Sequence, residues 1–252
     1  MHGPIALVGS GEYLPVMAEV ERGLIAGRPP RFVQLATAAA PEGAQSLARW
    51  HSLGRQAAER LGVEQVVVPV TDRASAQDPA LAALVEGAGL VYLSGGNPTY
   101  LAMTLRGSLV WQAIHAAWQA GAALAGCSAG AMALCGHVPD LRHPVRGGVA
   151  GLGVLDHLRV LPHFDRFAAR LPDLLLRPLA RSPQESVLGI DEDTALVGGP
   201  EHWEVQGRQS VWVLVEGGRS GHPPGARLHL PRPPAPRAPA GYGRPAPNRL
   251  ER

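Results

Sequence analysis

The chain has 252 residues, of which 46% are hydrophobic, and a formal net charge of +2. This size allows one sizeable core, and no apolar run approaches the ~20 residues that span a membrane. All 23 basic residues are arginine, which excludes a lysine base or Schiff base, and two cysteines are too few for a disulfide framework or a metal site. We therefore expect a cytoplasmic protein without metal or organic cofactor, whose N-terminus is not a signal peptide.

Short apolar runs alternate with helix-length segments along the first half of the chain. The runs lie at 5–8, 32–35, 66–70, 90–93 and 122–125, and the predicted helices at about 15–27, 42–61, 77–87 and 98–119. Continuous apolar strands that alternate with helices predict an α/β fold, with a mostly parallel sheet covered by helices on both faces. Such sheets bind ligands beyond the carboxyl ends of their strands.

The first of these strand ends carries a glycine-containing loop at 9–12. Gly9 and Gly11 begin like a dinucleotide-binding fingerprint, but the third glycine of that pattern is absent. The loop therefore does not predict a nucleotide-binding enzyme.

A Gly-x-Ser-x-Gly motif follows the strand predicted at 121–125. It consists of Gly126, Cys127, Ser128, Ala129 and Gly130, and a helix is predicted to begin directly after the serine. Such an elbow holds the serine hydroxyl at the sheet edge, above the amides of a helix N-terminus. The motif predicts a nucleophile, and the alternative is a structural serine in a tight turn.

A nucleophilic serine needs a base and an acid that orients the base. His163 is our candidate base, because it follows a short apolar strand. Five carboxylates stand downstream of the serine at plausible loop or strand ends, and spacing alone does not separate them: Asp140, Asp156, Asp165, Asp191 and Glu192.

The last part of the chain differs in composition. Residues 217–252 contain seven arginines, one glutamate and nine of the 24 prolines, and they lack apolar periodicity. We therefore predict a domain at 1–216 and a largely disordered tail at 217–252, whose removal would leave stability and activity unchanged. We expect no nucleic-acid partner for this basic tail.

Four ordered motifs resemble those of peptidase family S51, which contains aspartyl dipeptidases (peptidase E) and cyanophycinases. They are LSGGNPTYL at 93–101, GCSAGAMAL at 126–134, GLGVLDHLRVLPHFDRF at 151–167 and VLGIDEDTALV at 187–197. The resemblance covers most of residues 1–215. It implies a fold like that of class I glutamine amidotransferases.

The resemblance also implies roles for individual residues. Ser128 would be the nucleophile, His163 its base and Glu192 the acid, with Asp191 as second choice for the acid. The oxyanion hole would use the amide of Ala129 and, from the loop after the strand at 90–93, that of Gly95 or Gly96. Asn97 and Arg166 would contact the substrate, since arginine binds carboxylates through a planar fork.

The implied activity is hydrolysis of a small peptide or isopeptide amide through an acyl-enzyme. Cyanophycinases carry a glutamine where this chain has Pro98, so the loop with Asn97 resembles more the dipeptidase branch or uncharacterised members of the family. Two other classes remain open: a non-catalytic amidotransferase-like binding module, and an esterase of the α/β-hydrolase type, in which Asp140 or Asp156 would be the acid. Family members are often homodimers.

Overall fold

A computed structural model describes residues 2–140, 147–167, 172, 185–215 and 218–232. Its helices are α1 (Ala18–Ile25), α2 (Ala44–Leu61), α3 (Pro79–Ala83), α4 (Pro98–Leu105), α5 (Leu109–Gln119), α6 (Ala129–Leu134) and α7 (Phe164–Phe167). Its first strands are β1 (Ile5–Val8), β2 (Arg31–Leu35), β3 (Glu64–Val67), β4 (Leu90–Leu93), β5 (Ala123–Cys127), β6 (His137–Pro139) and β7 (Gly148–Ala150). The later strands are β8 (Leu158–Pro162), β9 (Ser186–Ile190), β10 (Thr194–Gly198), β11 (His202–Gly207), β12 (Val211–Val215), β13 (Gly218–His222) and β14 (Arg227–His229).

Within the described residues, eight strands form the central sheet in the order β14-β11-β10-β1-β5-β4-β2-β3. The five strands from β1 to β3 in this order run parallel, whereas β10, β11 and β14 are antiparallel additions at one side. The predicted α/β fold with a mostly parallel sheet is confirmed. The parallel strands point their carboxyl ends, and so the loops after β1, β4 and β5, to the same edge.

Alternate residues of the parallel strands enter two separate cores. On one face Ala6 and Val8 of β1 pack in a cluster with Val20 of α1 and Ala57 of α2. On the other face Leu7 packs in a larger cluster that includes apolar side chains of α4, α5 and α6. Because both faces are covered, each strand is apolar throughout, which is the pattern that made these strands recognisable in the sequence.

Four further strands form a second sheet in the order β13-β12-β9-β8. Strands β8 and β9 are parallel, so their carboxyl ends also lie side by side. The short turn 191–193 connects β9 of this sheet to β10 of the central sheet. This turn places the carboxyl ends of β8 and β9 close to the carboxyl ends of the parallel strands of the central sheet, where the elbow lies.

The segment predicted as one helix at 98–119 consists of two helices, α4 and α5. Gly107 adopts a left-handed φ of 66°, and the Ser108 side chain caps α5 by accepting a hydrogen bond from the Trp111 amide at 3.0 Å. A glycine followed by an N-capping serine ends one helix and begins the next, which outweighs the continuous apolar stripe. The α3 region is also shorter than predicted, ending at Ala83 rather than near 87.

The chain after residue 217 differs from the expected disordered tail as far as residue 232. Strand β13 pairs with β12, and β14 pairs with β11 at the edge of the central sheet. Leu228 and Leu230 are buried. Edge strands of this kind contain few apolar residues and were therefore not recognisable by periodicity. Residues 233–252 lie outside the described residues, and the Pro- and Arg-rich composition remains the basis for our expectation there.

We predict different effects of two C-terminal truncations on the melting temperature. Ending the chain after Gly217 removes β13 and β14, leaves the β11 and β12 edges unpaired, and should lower the melting temperature by several degrees or prevent folding. Ending it after Arg232 should change the melting temperature by less than about 2 °C. Thermal unfolding of both variants checks this, and equal stability of the shorter variant and the full chain would contradict it.

No helix within the described ranges is both long and apolar enough to cross a bilayer.

Candidate active site

Ser128 lies in the turn from β5 to α6 with φ 49° and ψ −106°. A side chain at Gly126 would come within 2.5 Å of the Gly130 carbonyl carbon, and one at Gly130 within 2.3 Å of the Leu93 oxygen. The two glycines of the motif are therefore required by close backbone contacts. The strained serine is half-buried at the sheet edge, as an elbow demands.

Ser128, His163 and Glu192 are connected by hydrogen bonds. The Oγ atom of Ser128 lies 3.0 Å from Nε2 of His163, and Nδ1 of His163 lies 3.0 Å from Oε1 of Glu192. His163 follows β8 with a left-handed φ of 52°, and Glu192 occupies the turn 191–193. The structure thus brings together the three residues that the family resemblance assigned as a triad.

Hydrogen bonds with three neighbouring side chains fix the position of Glu192. Its backbone amide donates to Oδ1 of Asp165 at 2.9 Å, and its backbone carbonyl accepts from Nε2 of Gln209 at 2.9 Å. The guanidinium Nε of Arg166 donates to Oε2 of Glu192 at 2.8 Å. Arg166, which was expected to contact substrate, therefore binds the Glu192 carboxylate through Nε of its guanidinium group.

These contacts keep Glu192 ionised. The hydrogen bond from His163, followed by the hydrogen bond and charge of Arg166, holds the pKa of Glu192 below its ordinary value. A lowered pKa in the folded state stabilises the fold above the ordinary pKa, and this contribution is lost as the pH falls through the lowered value. At neutral pH the carboxylate is thus available as a hydrogen-bond acceptor for His163.

The loop after β4 approaches the serine. A side chain at Gly95 would lie 3.6 Å from the Ser128 Cβ. The Gly95 amide, however, donates to Oε1 of Glu12 at 2.9 Å, so it is not available as an oxyanion donor. Within the described ranges, the amides of Gly96 and Ala129 donate to no protein acceptor.

Ser128 and His163 line a pocket of about 640 Å³, which Gly96 and Asn97 also border. The side-chain oxygen of Asn97 accepts from the Tyr100 amide at 3.0 Å and caps α4, with Pro98 in the first turn. The presence of Pro98 is thus explained by its position in the first turn of α4, because proline is favoured at the start of a helix. The Asn97 oxygen is occupied by this cap, which leaves its amide nitrogen for a ligand.

The sequence profile of peptidase family S51 matches residues 33–204 of this chain. The chain belongs to peptidase family S51. The match covers more than half of the chain and includes all three residues of the hydrogen-bonded triad. The predicted family is confirmed, and its class of enzyme, a peptidase, agrees with the predicted one.

Individual relatives agree with the S51 assignment. The chain is 29% identical over 172 residues to cyanophycinases from Trichormus variabilis and a Nostoc species, covering 62% of this chain and 55% of each relative. It therefore spans about half the length of the curated relatives it matches. A solved peptidase structure from an acI-B1 actinobacterium is 43% identical, with a TM-score of 0.83 over 91% of this chain and 97% of that one.

A protein assigned as peptidase E from Listeria monocytogenes EGD-e shares the fold at 16% identity. Its TM-score is 0.58, over 82% of this chain and 99% of that one.

Among the contacts of the described residues, His163 binds Glu192 and none of the other candidate acids of this S51 chain. Asp191 is buried and accepts hydrogen bonds from the Trp212 indole at 3.0 Å and the Ser210 amide at 3.2 Å. Asp156 is exposed and lies 3.3 Å from the Arg232 guanidinium. Asp140 borders the pocket, and Asp165 binds the Glu192 backbone.

Sequence reasoning missed a buried polar cluster behind the serine. It contains Glu12, Tyr13 and Glu21, all at most 5% exposed, and Ser94 and Cys127. Glu12 accepts hydrogen bonds from Gly95 and from the Cys127 thiol, and Tyr13 contacts Ser94. The available signal was a glutamate directly after the glycine turn at the carboxyl end of the first strand.

Glu21 makes stability depend on pH. Burial raises its pKa from 4.5 to about 7, despite a hydrogen bond from the Tyr13 amide and the nearby charge of Arg60. Between these values the folded chain keeps a proton that the unfolded chain releases, so stability falls as the pH rises from about 4.5 to about 7. This difference in the pKa of Glu21 corresponds to about 3 kcal/mol in the free energy of unfolding. Above a pH of about 7 the ionisation of Glu21 no longer changes that free energy.

We therefore predict that Glu21→Gln removes most of this slope in the free energy of unfolding. Urea titrations at pH 5, 6, 7 and 8 measure it. Glu19→Gln, on the same helix but 85% exposed, should leave the slope unchanged. Parallel pH profiles for wild type and Glu21→Gln would refute the assignment.

Proposed function

We propose that this chain is a serine peptidase that hydrolyses a small peptide or isopeptide amide through an acyl-enzyme on Ser128. The observation that carries the proposal is the continuous set of hydrogen bonds from Ser128 through His163 to Glu192, both at 3.0 Å, beneath a pocket. Serine, base and oriented acid in this geometry form the arrangement of serine hydrolases on unrelated folds.

In the first half-reaction Nε2 of His163 accepts the Ser128 proton as Oγ attacks the amide carbon. Glu192 accepts a hydrogen bond from Nδ1 of His163, which selects the tautomer with a free Nε2 and stabilises the imidazolium. The negative charge that forms on the substrate oxygen is stabilised by the amides of Gly96 and Ala129. Collapse of this intermediate breaks the C–N bond, and the imidazolium protonates the leaving amine.

In the second half-reaction His163 removes a proton from water, which attacks the acyl-enzyme. The tetrahedral intermediate uses the same two amides, and its collapse returns the proton to Ser128 and releases the acid product. Arg166 and Asp165 act through Glu192, because both hold it where it meets His163.

The pocket supports a short substrate. A volume of about 640 Å³ is in the range of small-molecule sites and accommodates a dipeptide-sized ligand. The relatives named cyanophycinase make isopeptide-linked substrates one class to test. Glu42 and Asp140 border the pocket, so its described lining carries two carboxylates.

The test combines a substrate screen with a chemical probe. Dipeptides and isoaspartyl peptides are incubated with wild type and Ser128→Ala, and a fluorophosphonate is reacted with both, followed by mass spectrometry of the 128-containing peptide. We expect hydrolysis of at least one peptide class and a phosphonyl adduct on Ser128 of the wild type. Absence of any adduct on the folded wild type would refute the proposal and favour a binding module.

A further inference from the structure

The loop that carries Gly96 is held from two sides. On one side backbone bonds connect it to the β2 end: the Ser94 amide donates to the Leu35 carbonyl at 2.9 Å, and the Asn97 amide to that of Ala38 at 2.8 Å. On the other side the contacts come from side chains of the loop after β1, Glu12 and Tyr13. Substitution of Glu12 or Tyr13 can remove these side-chain contacts, whereas the backbone hydrogen bonds on the first side would remain.

Glu12 connects two of the strand-end loops. Its side chain is buried, with Oε1 accepting from the Gly95 amide at 2.9 Å and Oε2 accepting from the Cys127 thiol at 2.7 Å. Burial, followed by the adjacent Glu12 charge, raises the pKa of Cys127 well above its ordinary value. The thiol therefore remains protonated and donates.

Tyr13 makes the second contact to the same loop. Its hydroxyl lies 2.8 Å from Oγ of Ser94, and its backbone adopts a left-handed φ of 66°. This conformation is costly for a non-glycine residue and requires support. The support is polar: the Tyr13 amide donates to Glu21 at 2.9 Å, and its carbonyl accepts from Arg60.

We propose that Glu12 and Tyr13 are positioning residues of the oxyanion hole: by holding Gly95 and Ser94 they keep the Gly96 amide in place beside Ser128. The inference rests on the proposed function. Neither side chain borders the pocket, so neither contacts substrate. Without Glu12, the buried Gly95 amide lacks an acceptor, and an unpaired buried donor makes the loop move.

The experiment measures the rate of fluorophosphonate labelling of the full chain as a function of pH. The reagent places its phosphoryl oxygen in the oxyanion hole. A defect in proton transfer changes the pH midpoint of labelling, whereas a defect in the hole lowers the plateau at an unchanged midpoint. Labelling needs no known substrate.

Three substitutions at Glu12 and its neighbour give distinct expectations. Glu12→Leu should lower the plateau at least about tenfold at an unchanged midpoint, since loss of one oxyanion donor costs about 10² to 10³. Glu12→Gln should stay within about threefold of wild type, because its carbonyl still accepts from Gly95 while its amide group faces the Cys127 sulfur, a weak acceptor. Glu21→Gln is the matched control: it changes an equally buried carboxyl group but keeps a carbonyl that accepts the Tyr13 amide, so it should keep the wild-type plateau.

The inference is overturned if folded Glu12→Leu labels at the wild-type plateau, if Glu21→Gln lowers the plateau as much as Glu12→Leu does, or if Glu12→Gln is as slow as Glu12→Leu. Should Glu12→Leu not fold, Tyr13→Phe decides, since it removes only the hydroxyl that contacts Ser94. It should lower the plateau about two- to fivefold, and a wild-type plateau would overturn the inference. Failure of wild type itself to label would instead refute the proposed function.

Discussion

Ser128→Ala is expected to lower peptide hydrolysis by at least about 10⁴-fold while the melting temperature stays within a few degrees of wild type. The hydroxyl is the atom that forms the acyl-enzyme, and removal of a triad nucleophile commonly costs several orders of magnitude in kcat. The positive φ of 49° at Ser128 is no more costly for alanine than for serine, since both carry a Cβ, so the elbow is expected to persist. Steady-state kinetics and thermal unfolding on the same preparations measure both quantities.

Cys127 provides the matched control, one residue away. Its thiol is buried against Glu12, and its raised pKa makes it a poor nucleophile at neutral pH. Cys127→Ala and Cys127→Ser should therefore keep most of the activity. An active Ser128→Ala together with inactive Cys127 variants would show that the nucleophile is misassigned.

Glu192→Gln is the second substitution with a large expected effect. It preserves the shape of the side chain but removes the charge that stabilises His163 as imidazolium, and its amide group faces the Nδ1 proton in one of two orientations. We expect kcat to fall by roughly 10² to 10⁴ with little change in melting temperature. Initial rates under saturating substrate, with circular dichroism of the same samples, test the prediction.

The competing carboxylates make this result specific. Asp191→Asn and Asp140→Asn should cost far less activity, because the carboxylate that His163 binds among the described residues is that of Glu192. Asp165→Asn should have an intermediate effect, since it weakens the hydrogen bond that positions the Glu192 backbone. A crippled Asp140→Asn alongside an active Glu192→Gln would instead support the serine, acid, histidine order of an α/β-hydrolase.

The parts of the fold predicted correctly were those whose two faces are buried. Strand β1 at Ile5–Val8 and strand β4 at Leu90–Leu93 match their predicted bounds, because a strand covered on both faces reads as an uninterrupted apolar run. The elbow was predictable for a different reason. Close backbone contacts leave room only for glycine at 126 and 130. The Gly-x-Ser-x-Gly motif contains both glycines, so this requirement is visible in the sequence.

The rest depended on contacts between distant segments, which a single sequence does not encode locally. Glu192 and Asp191 are adjacent acids at one strand end, and local pattern does not say which of them faces His163. The two acids differ because the Trp212 indole of β12 and the backbone amide of Ser210, which precedes β12, bind Asp191. Glu12 was missed for the same reason, since its partners Gly95 and Cys127 lie more than eighty residues away.

The proposed catalytic residues are divided between the two sheets. Ser128 and Gly96 follow strands of the central sheet, whereas His163 follows β8 and Glu192 follows β9 of the four-stranded sheet. A small displacement of one sheet against the other would separate Oγ of Ser128 from the imidazole, but the two sheets share one hydrophobic cluster, in which Val160 and Leu188 pack with Leu7 and Leu124. The proposed catalytic geometry is thus set by the core that the two sheets share, and a substitution that opens a cavity in it should loosen the alignment of Ser128 with His163 although it touches neither residue.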